Sequence, residues 1–401
     1  MNNSFDFVVI GAGIVGLTVA YELIHRKPNA RIAIIEKEAA PGMHASGRNS
    51  GVMHCGIYYG SDTLKARVCA SGAKRMIEFA KTEGISYRQT GKVILATSEE
   101  QLSSVDKLID NARKNEIPAE LIDHQQLREI EPYAAMGPAA IFCPTTAVID
   151  SGAVVNRLRE ILQAQGVEFF FDCCVVGQDN DTYLKTSQGL FNYGFLFNCA
   201  GAYADTIAKY FDLAEDYVLV PFKGIYWKLS PTANPKVRSN IYPVPDISLP
   251  FLGIHFTRVI SGDVYLGPTA IPALGRENYG KLEGLSLFEG GTISLQLIRM
   301  YFRNENNFRK LTHVELGKYR KSNFLQAARK LMPALTVDDM MPTQKAGIRP
   351  QLVNLNTRKL EMDYILERTP KSLHILNAIS PAFTGSFAFA EMIVDQVTGS
   401  L

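Results

Sequence analysis

Phe7-Val8-Val9-Ile10-Gly11-Ala12-Gly13-Ile14-Val15-Gly16, followed by Glu36 twenty residues after its last glycine, decides the fold. An apolar strand runs into a Gly-x-Gly-x-x-Gly turn; a helix follows, and a second strand, Arg31 to Ile35, ends at an acid. Gly11 permits the tight turn, Gly13 lets backbone approach a pyrophosphate, and Gly16 lets helix and strand pack closely. Ile14 and Val15 open the helix, whose free N–H groups and positive dipole end face the phosphates. Glu36 accepts hydrogen bonds from a ribose diol, with Lys37 beside it at the strand tip. The acid repels a 2′-phosphate, so the motif fits FAD or NAD better than NADP. It points to an α/β chain with a Rossmann-like dinucleotide domain.

Working outward, 401 residues suffice for two domains. The apolar share of 46% and charged share of 20% are those of an ordinary globular protein. With 42 basic and 40 acidic residues, a net charge of +2 makes no case for nucleic acid. Six cysteines show no Cys-x-x-Cys pair and no metal-ligand spacing, so no metal site is expected. They read as buried reduced thiols of a cytoplasmic protein. Val8 to Ile24 is apolar enough to imitate a membrane span or signal sequence, but three glycines and Glu22 argue against both. Peripheral contact with the inner face of a membrane stays open, since it needs only a few exposed apolar residues.

After the opening unit come a Gly/Ser/His-rich loop (Pro41 to Gly60) and a helix from about Asp62 to Lys81. A strand (Lys92 to Thr97) and helices (Glu99 to Lys114, Gln125 to Ile130) follow, then a helix from Ser151 to Gln165 with Ser151 as N-cap. Strands at Val167 to Phe171 and Phe195 to Asn198 return to the dinucleotide domain. Gly224 to Leu229, Ile254 to Val259 and Val264 to Leu266 are aromatic and β-branched, the pattern of an antiparallel sheet. Helices at Thr292 to Phe302 and Ser322 to Met332, short strands at Ile365 to Leu366 and Leu373 to Asn377, and a helix from Gly385 to Val397 complete the chain. This gives a dinucleotide-binding domain of residues 1–88, 140–219 and 341–401, and an interleaved substrate domain of 89–139 and 220–340 built on an antiparallel sheet. There is no second Gly-x-Gly-x-x-Gly, so one dinucleotide is expected; Gly290-Gly291 reads as a turn.

Three further stretches carry chemistry. In Ala45-Ser46-Gly47-Arg48-Asn49-Ser50-Gly51-Val52-Met53-His54, small residues let backbone lie flat against a planar ring. Ser46, Arg48 and Asn49 supply donors for phosphate or ring oxygens. In Gly347-Ile348-Arg349-Pro350, Arg349 offers a rigid bidentate fork for a carboxylate. Ser380-Pro381-Ala382-Phe383-Thr384-Gly385-Ser386 opens the last helix and aims N–H groups at an anionic ring edge.

Together these pieces resemble the D-amino-acid-oxidase-like family of FAD oxidoreductases over essentially the whole chain. They include the strand-end Cys199-Ala200-Gly201-Ala202-Tyr203-Ala204-Asp205. The resemblance implies FAD contacts at Gly11, Gly13, Ile14, Val15, Gly16, Glu36, Lys37, Ser46, Arg48, Asn49, Ser50, Gly51, Val52, Cys199, Ala200, Gly201, Thr384, Gly385 and Ser386. The stretch from Ala45 through Cys55-Gly56-Ile57-Tyr58 to Tyr59, together with Pro221-Phe222-Lys223-Gly224-Ile225-Tyr226, Gly253-Ile254-His255-Phe256-Thr257-Arg258 and Leu266-Gly267-Pro268, resembles the branch of that family that acts on 2-hydroxy acids. Lys223 stands where that branch leads one to expect Arg.

The implied reaction is oxidation of L-2-hydroxyglutarate to 2-oxoglutarate: hydride leaves Cα for flavin N5 while a base takes the hydroxyl proton. Oxygen or a quinone is the implied acceptor. Histidine suits the base, and His54 and His255 are both candidates. Arg349 would hold the first carboxylate, Arg258 or Lys223 the second, with Tyr58 beside the substrate. The alternatives are an amino-acid or amine oxidase of glycine or sarcosine oxidase type, and a non-catalytic flavin-binding protein.

Overall fold

The opening strand, Ser4–Ile10, lies at the heart of a mixed sheet, paired in parallel with Gly189–Asn198 and Ile32–Ile35. All four residues of Ile32–Ile35 are buried, the continuous apolar pattern of a strand covered on both faces. The computed structural model describes residues 3–245, 251–280, 283–285, 287–304 and 307–399. Among them this sheet has eight strands, continuing through Glu168–Phe170 on one side and through Tyr183–Thr186, Val175–Asn180, Ser372–Leu376 and Ile365–Thr369 on the other. The helix Ile14–Arg26 buries Leu17, Val19, Ala20 and Leu23 completely. At roughly 1.5–3 kcal/mol for each large aliphatic side chain, that face fixes the helix to the sheet.

Four helices share the core above this sheet: Ile14–Arg26, Ser151–Ala164, Leu64–Thr82 and Ala382–Thr398. The last two nearly touch, since a Cβ on Gly72 would lie 2.6 Å from the Cα of Gly385. At Gly11, φ is +100° and a Cβ would meet the carbonyl oxygen of Cys199 at 2.6 Å. Both the conformation and the space therefore demand glycine.

A second sheet has nine described strands. Its spine is the antiparallel pair Tyr217–Leu229 and Met340–Asn354, in which Phe222 faces Arg349 and Gly224 faces Gly347. Val264–Gly267, His255–Arg258, Asn240–Pro243, Lys92–Ala96, Ala139–Cys143 and Glu120–Ile122 follow in spatial order, and Ile271–Pro272 pairs with the spine. The pairing is antiparallel except between Asn240–Pro243 and Lys92–Ala96. Ala139–Cys143 and Met340–Asn354 thus hydrogen-bond into this sheet, although the sequence division groups 140–219 and 341–401 with the dinucleotide strands. A small sheet of Val52–Met53, Ala147–Ile149 and Tyr87–Gln89 lies between the two.

Two local expectations are corrected. Asp150, not Ser151, caps the helix Ser151–Ala164, accepting from the backbone N–H of Ala153 at 2.9 Å. Gly290 and Gly291 lie within the helix Leu287–Arg303 instead of a turn. A Cβ on Gly290 would come 3.1 Å from the carbonyl oxygen of Leu274, so a small residue lets that helix approach the neighbouring segment. No described helix is long and apolar enough to cross a membrane. Five of the six cysteines are buried, while Cys174 is exposed beside the strand Val175–Asn180.

Candidate functional site

A cavity of about 660 Å³ runs from the glycine turn, between the two sheets, to Arg349. At its first end Gly11, Gly13, Ile14, Val15, Glu36 and Lys37 form the wall. The turn is braced from both sides. Glu36 accepts from the backbone N–H of Ala12 at 2.8 Å and from that of Glu38 at 3.0 Å, and the Ser46 hydroxyl accepts from Ile14 N–H at 2.8 Å. Ser46 therefore serves the first turn of the helix as a capping side chain would, from thirty-two residues away.

Ser46, Arg48, Asn49, Ser50 and Val52 continue the wall, as do Cys199, Ala200, Gly201 and Thr384. Four residues expected there do not line it. Gly16 packs on the Gly11 carbonyl, Gly51 on that of Ile149, and Gly385 on Val68 and Gly72. Ser386 is fully buried, and its carbonyl accepts from the Thr18 hydroxyl at 3.2 Å. Successive residues of a helix point about 100° apart, so where Thr384 faces the cavity, Gly385 and Ser386 turn toward the helix bundle.

The far end is dry. His54 and His255 both line the cavity, and burial drives their pKa values down to about 3 and about 4. The positive charges of Lys92 and Arg349 push in the same direction, so both imidazoles are neutral at pH 7. His255 Nδ1 lies 2.9 Å from the Gly253 carbonyl, which can only accept, so Nδ1 carries the proton and Nε2 presents a lone pair. Its ring packs at a tilt of 31° against Tyr242, with centroids 4.0 Å apart. His54 Nδ1 is buried without a hydrogen-bond partner among the described residues. Arg349 also lines the cavity, its guanidinium 5.2 Å from the centroid of Phe251, and burial lowers its pKa. Tyr226 and Tyr242 also line this end; Tyr226 closes the stretch Pro221 to Tyr226 without an assigned role there, and Tyr242 lies in none of the motif stretches.

Three expected substrate contacts lie elsewhere, and strand parity explains two of them. Along Tyr217–Leu229, Phe222, Gly224 and Tyr226 face the cavity, so Lys223 faces the other way. Its ammonium donates to Asn278 Oδ1 at 3.1 Å and to the Gly280 carbonyl at 2.6 Å. Along His255–Arg258, His255 faces the cavity and Arg258, three residues on, the opposite side. Arg258 donates to the carbonyls of Val237 at 2.7 Å and Asn234 at 3.2 Å. Tyr58 is buried behind His54, its ring 4.5 Å from the Lys92 ammonium.

A segment that the sequence reading passed over, Arg276 to Tyr279, reaches from the second sheet to the mouth of the first end. Arg276 pairs with Asp205, with Nη2 to Oδ2 at 3.1 Å. Glu277 accepts from Lys37 at 2.6 Å and from the Tyr203 hydroxyl at 2.8 Å. Tyr279 meets His44 Nδ1 at 2.8 Å and carries the Arg48 guanidinium 4.1 Å over its ring. No motif marks these residues, because they matter only through what they meet across the cavity.

The sequence model of the family described as FAD dependent oxidoreductase, DAO, matches residues 6–396. The L-2-hydroxyglutarate dehydrogenase of Escherichia coli K12 is 34% identical over 397 residues, spanning 98% of this chain and 93% of that protein. The mitochondrial L-2-hydroxyglutarate dehydrogenase of Homo sapiens is 33% identical over 420 residues, spanning 98% and 89%. Among solved structures, L-α-glycerophosphate oxidase of Mycoplasma pneumoniae with FAD bound superimposes with a TM-score of 0.78 at 19% identity, covering 98% of this chain and 95% of that one. Glycine oxidase of Geobacillus kaustophilus gives 0.74 at 16%, covering 99% and 95%. At these identities the solved structures establish the fold.

Proposed function

We propose, from the premise that the chain belongs to the DAO family of FAD-dependent oxidoreductases, that it oxidises L-2-hydroxyglutarate to 2-oxoglutarate. The observation that carries the chemistry is the meeting of two neutral imidazoles and a half-buried guanidinium in one cavity continuous with the dinucleotide turn. The relatives' shared name supplies the substrate.

The residues fit FAD. A turn where Gly11 must be glycine, Glu36 at the strand tip and the unpartnered Nδ1 of His54 follow one another along a single cavity. Gly11, Gly13, Ile14, Val15, Glu36 and Lys37 would hold its adenosine and phosphates; Ser46 to Val52, Cys199 to Gly201 and Thr384 would hold the rest. Bound there, FAD supplies the two-electron acceptor for the substrate's Cα hydrogen.

His255 takes the hydroxyl proton: its Nδ1–H is anchored on Gly253, and its Nε2 lone pair is available at neutral pH. Arg349 grips the 1-carboxylate, a pairing strengthened by burial because water competes little. With Arg258 and Lys223 turned away, Tyr226 and Tyr242 are the groups at this end that meet the distal carboxylate. The strands of the first sheet, with the helices on them, form the cofactor unit, and the second sheet forms the substrate unit. The acceptor that closes the cycle is oxygen or a quinone.

Anaerobic mixing tests the reading. L-2-hydroxyglutarate should bleach the oxidised flavin absorbance, while glycine, sarcosine and D-amino acids should not. Bleaching by an amine substrate instead would assign the chain to amine oxidation, and no bleaching by either class would make it non-catalytic.

A further inference from the structure

Lys92 lies on the strand Lys92–Ala96, is fully buried, and lines no part of the cavity. Burying an ammonium is costly unless it gains partners, and a hydrophobic residue of similar volume would be cheaper at such a place. Among the described residues the contacts of Lys92 include no carboxylate. Its Nζ lies 3.7 Å from Cys55 Sγ, 4.5 Å from the centroid of Tyr58 and 5.3 Å from that of Tyr242. Two of these contacts lead to the histidine pair. Cys55 is bonded to His54, and Tyr242 is the ring that His255 packs against at 4.0 Å.

We propose that Lys92 is a positioning residue for both histidines: it ties down the Cys55 turn and the Tyr242 ring, and its charge disfavours a second positive charge on either imidazole. The assignment rests on the reading of His54 and His255 as the histidines of the reaction. It is reached from packing, because the side chain touches neither substrate nor cavity.

The surroundings of the three groups agree with this. Lys92 is faced by Cys55 and Tyr58 from the loop after the glycine-rich stretch, by Cys143 from the paired strand and by Tyr242 from the other neighbour. The Cys143 thiol and the nearby ammonium hold the Cys55 thiol well below its ordinary value despite burial. His54 is faced by Lys92, His255 and Arg349, and His255 by Lys92 and Arg349. Among the described residues the cations acting on the two imidazoles are Lys92 and Arg349; Lys92, with the lowered Cys55 thiol beside it as a partial counter-charge, is the one that is not placed to bind substrate.

The experiment removes that charge while keeping the stem, with Lys92→Met in the FAD-loaded enzyme; Lys92→Gln serves if the Met variant does not fold. Flavin absorbance and melting temperature establish that the variant is loaded and folded. Turnover of L-2-hydroxyglutarate with an artificial dye acceptor is then compared at pH 5 and pH 7. In the parent enzyme the two rates should agree within about twofold, because both imidazoles stay neutral. In Lys92→Met the pH 5 rate should fall about fivefold further, while Lys92→Arg keeps the parent's behaviour. Carbethoxylation of His54 and His255 by diethyl pyrocarbonate, which attacks only neutral imidazole, gives a readout without substrate when followed by peptide mass spectrometry. Its pH 5 to pH 7 ratio should drop in parallel. A folded, flavin-loaded Lys92→Met with an unchanged carbethoxylation ratio would overturn the role of Lys92. An absence of turnover with L-2-hydroxyglutarate in the parent would instead overturn the assigned substrate.

Discussion

The two ends of the cavity hold charge in opposite ways. At the dinucleotide end Lys37, Glu38, His44 and Glu277 form a half-exposed network in which each charge has an opposite neighbour. At the far end Lys92 and His255 are buried and Arg349 and His54 half-buried among tyrosines, and the two cations Lys92 and Arg349 both act against a positive charge on the imidazoles. Paired charges in contact with water contribute little each, and several are needed to hold anything. A cation in a site with little water acts strongly, because little solvent screens it, and an anionic ligand there is held firmly. The first end is therefore suited to retention by many weak links, the second to recognition and chemistry by few strong ones.

That contrast sets the order of expected effects. His255→Asn should lower kcat most, by about a thousandfold, the usual scale for losing a general base, with flavin content unchanged. A loss under tenfold would move the base to His54. Arg349→Ala should cost about a hundredfold in kcat/KM, chiefly through KM, since the substrate carboxylate would be left buried without its partner. Loss of FAD from this variant would show that the two ends are not independent.

Acidification should act on the dry end as a stability effect. His54 and His255 have folded-state values of about 3 and about 4, below the ordinary 6.5. The unfolded chain therefore binds more protons below pH 6.5, and the stability their neutral burial contributes is lost as pH falls from 6.5 toward 4. Calorimetry should show the melting temperature dropping by several degrees between pH 7 and pH 5. A flat profile would mean that these rings are already protonated in the fold. The smallest effect should come from Glu277→Ala, which breaks one strand of the exposed network. FAD release, followed by recovery of flavin fluorescence, should accelerate about threefold and depend on salt. A hundredfold change would show that the Arg276 to Tyr279 segment works as a single clasp.

How much could be read beforehand varies with how local each feature is. The glycine turn, the paired strands and Glu36 are legible because a tight turn, a covered strand and a helix start each impose residue types on neighbours in sequence. His54, His255 and Arg349, picked out from short stretches that carry their own residue pattern, all line the one cavity. Lys223 and Arg258 misled for a definite reason. A cation in a suggestive stretch says nothing about which face of its strand it occupies, and the register that places Phe222 against Arg349 turns both away. Gly385 and Ser386 misled similarly, because which side of a helix start faces a ligand depends on where the neighbouring helices pack.

The sequence by itself determined the Rossmann-like unit, a single dinucleotide, and a family whose members share the 2-hydroxy-acid stretches. Those follow from backbone geometry and short-range spacing, which a chain carries wherever it folds. The tertiary structure decided which histidine has an anchored Nδ1, which cations reach the cavity, and that Lys92 stands behind the pair. Those depend on strand parity, on register between segments far apart in sequence, and on how completely water is shut out, and none of the three is a property of any one stretch.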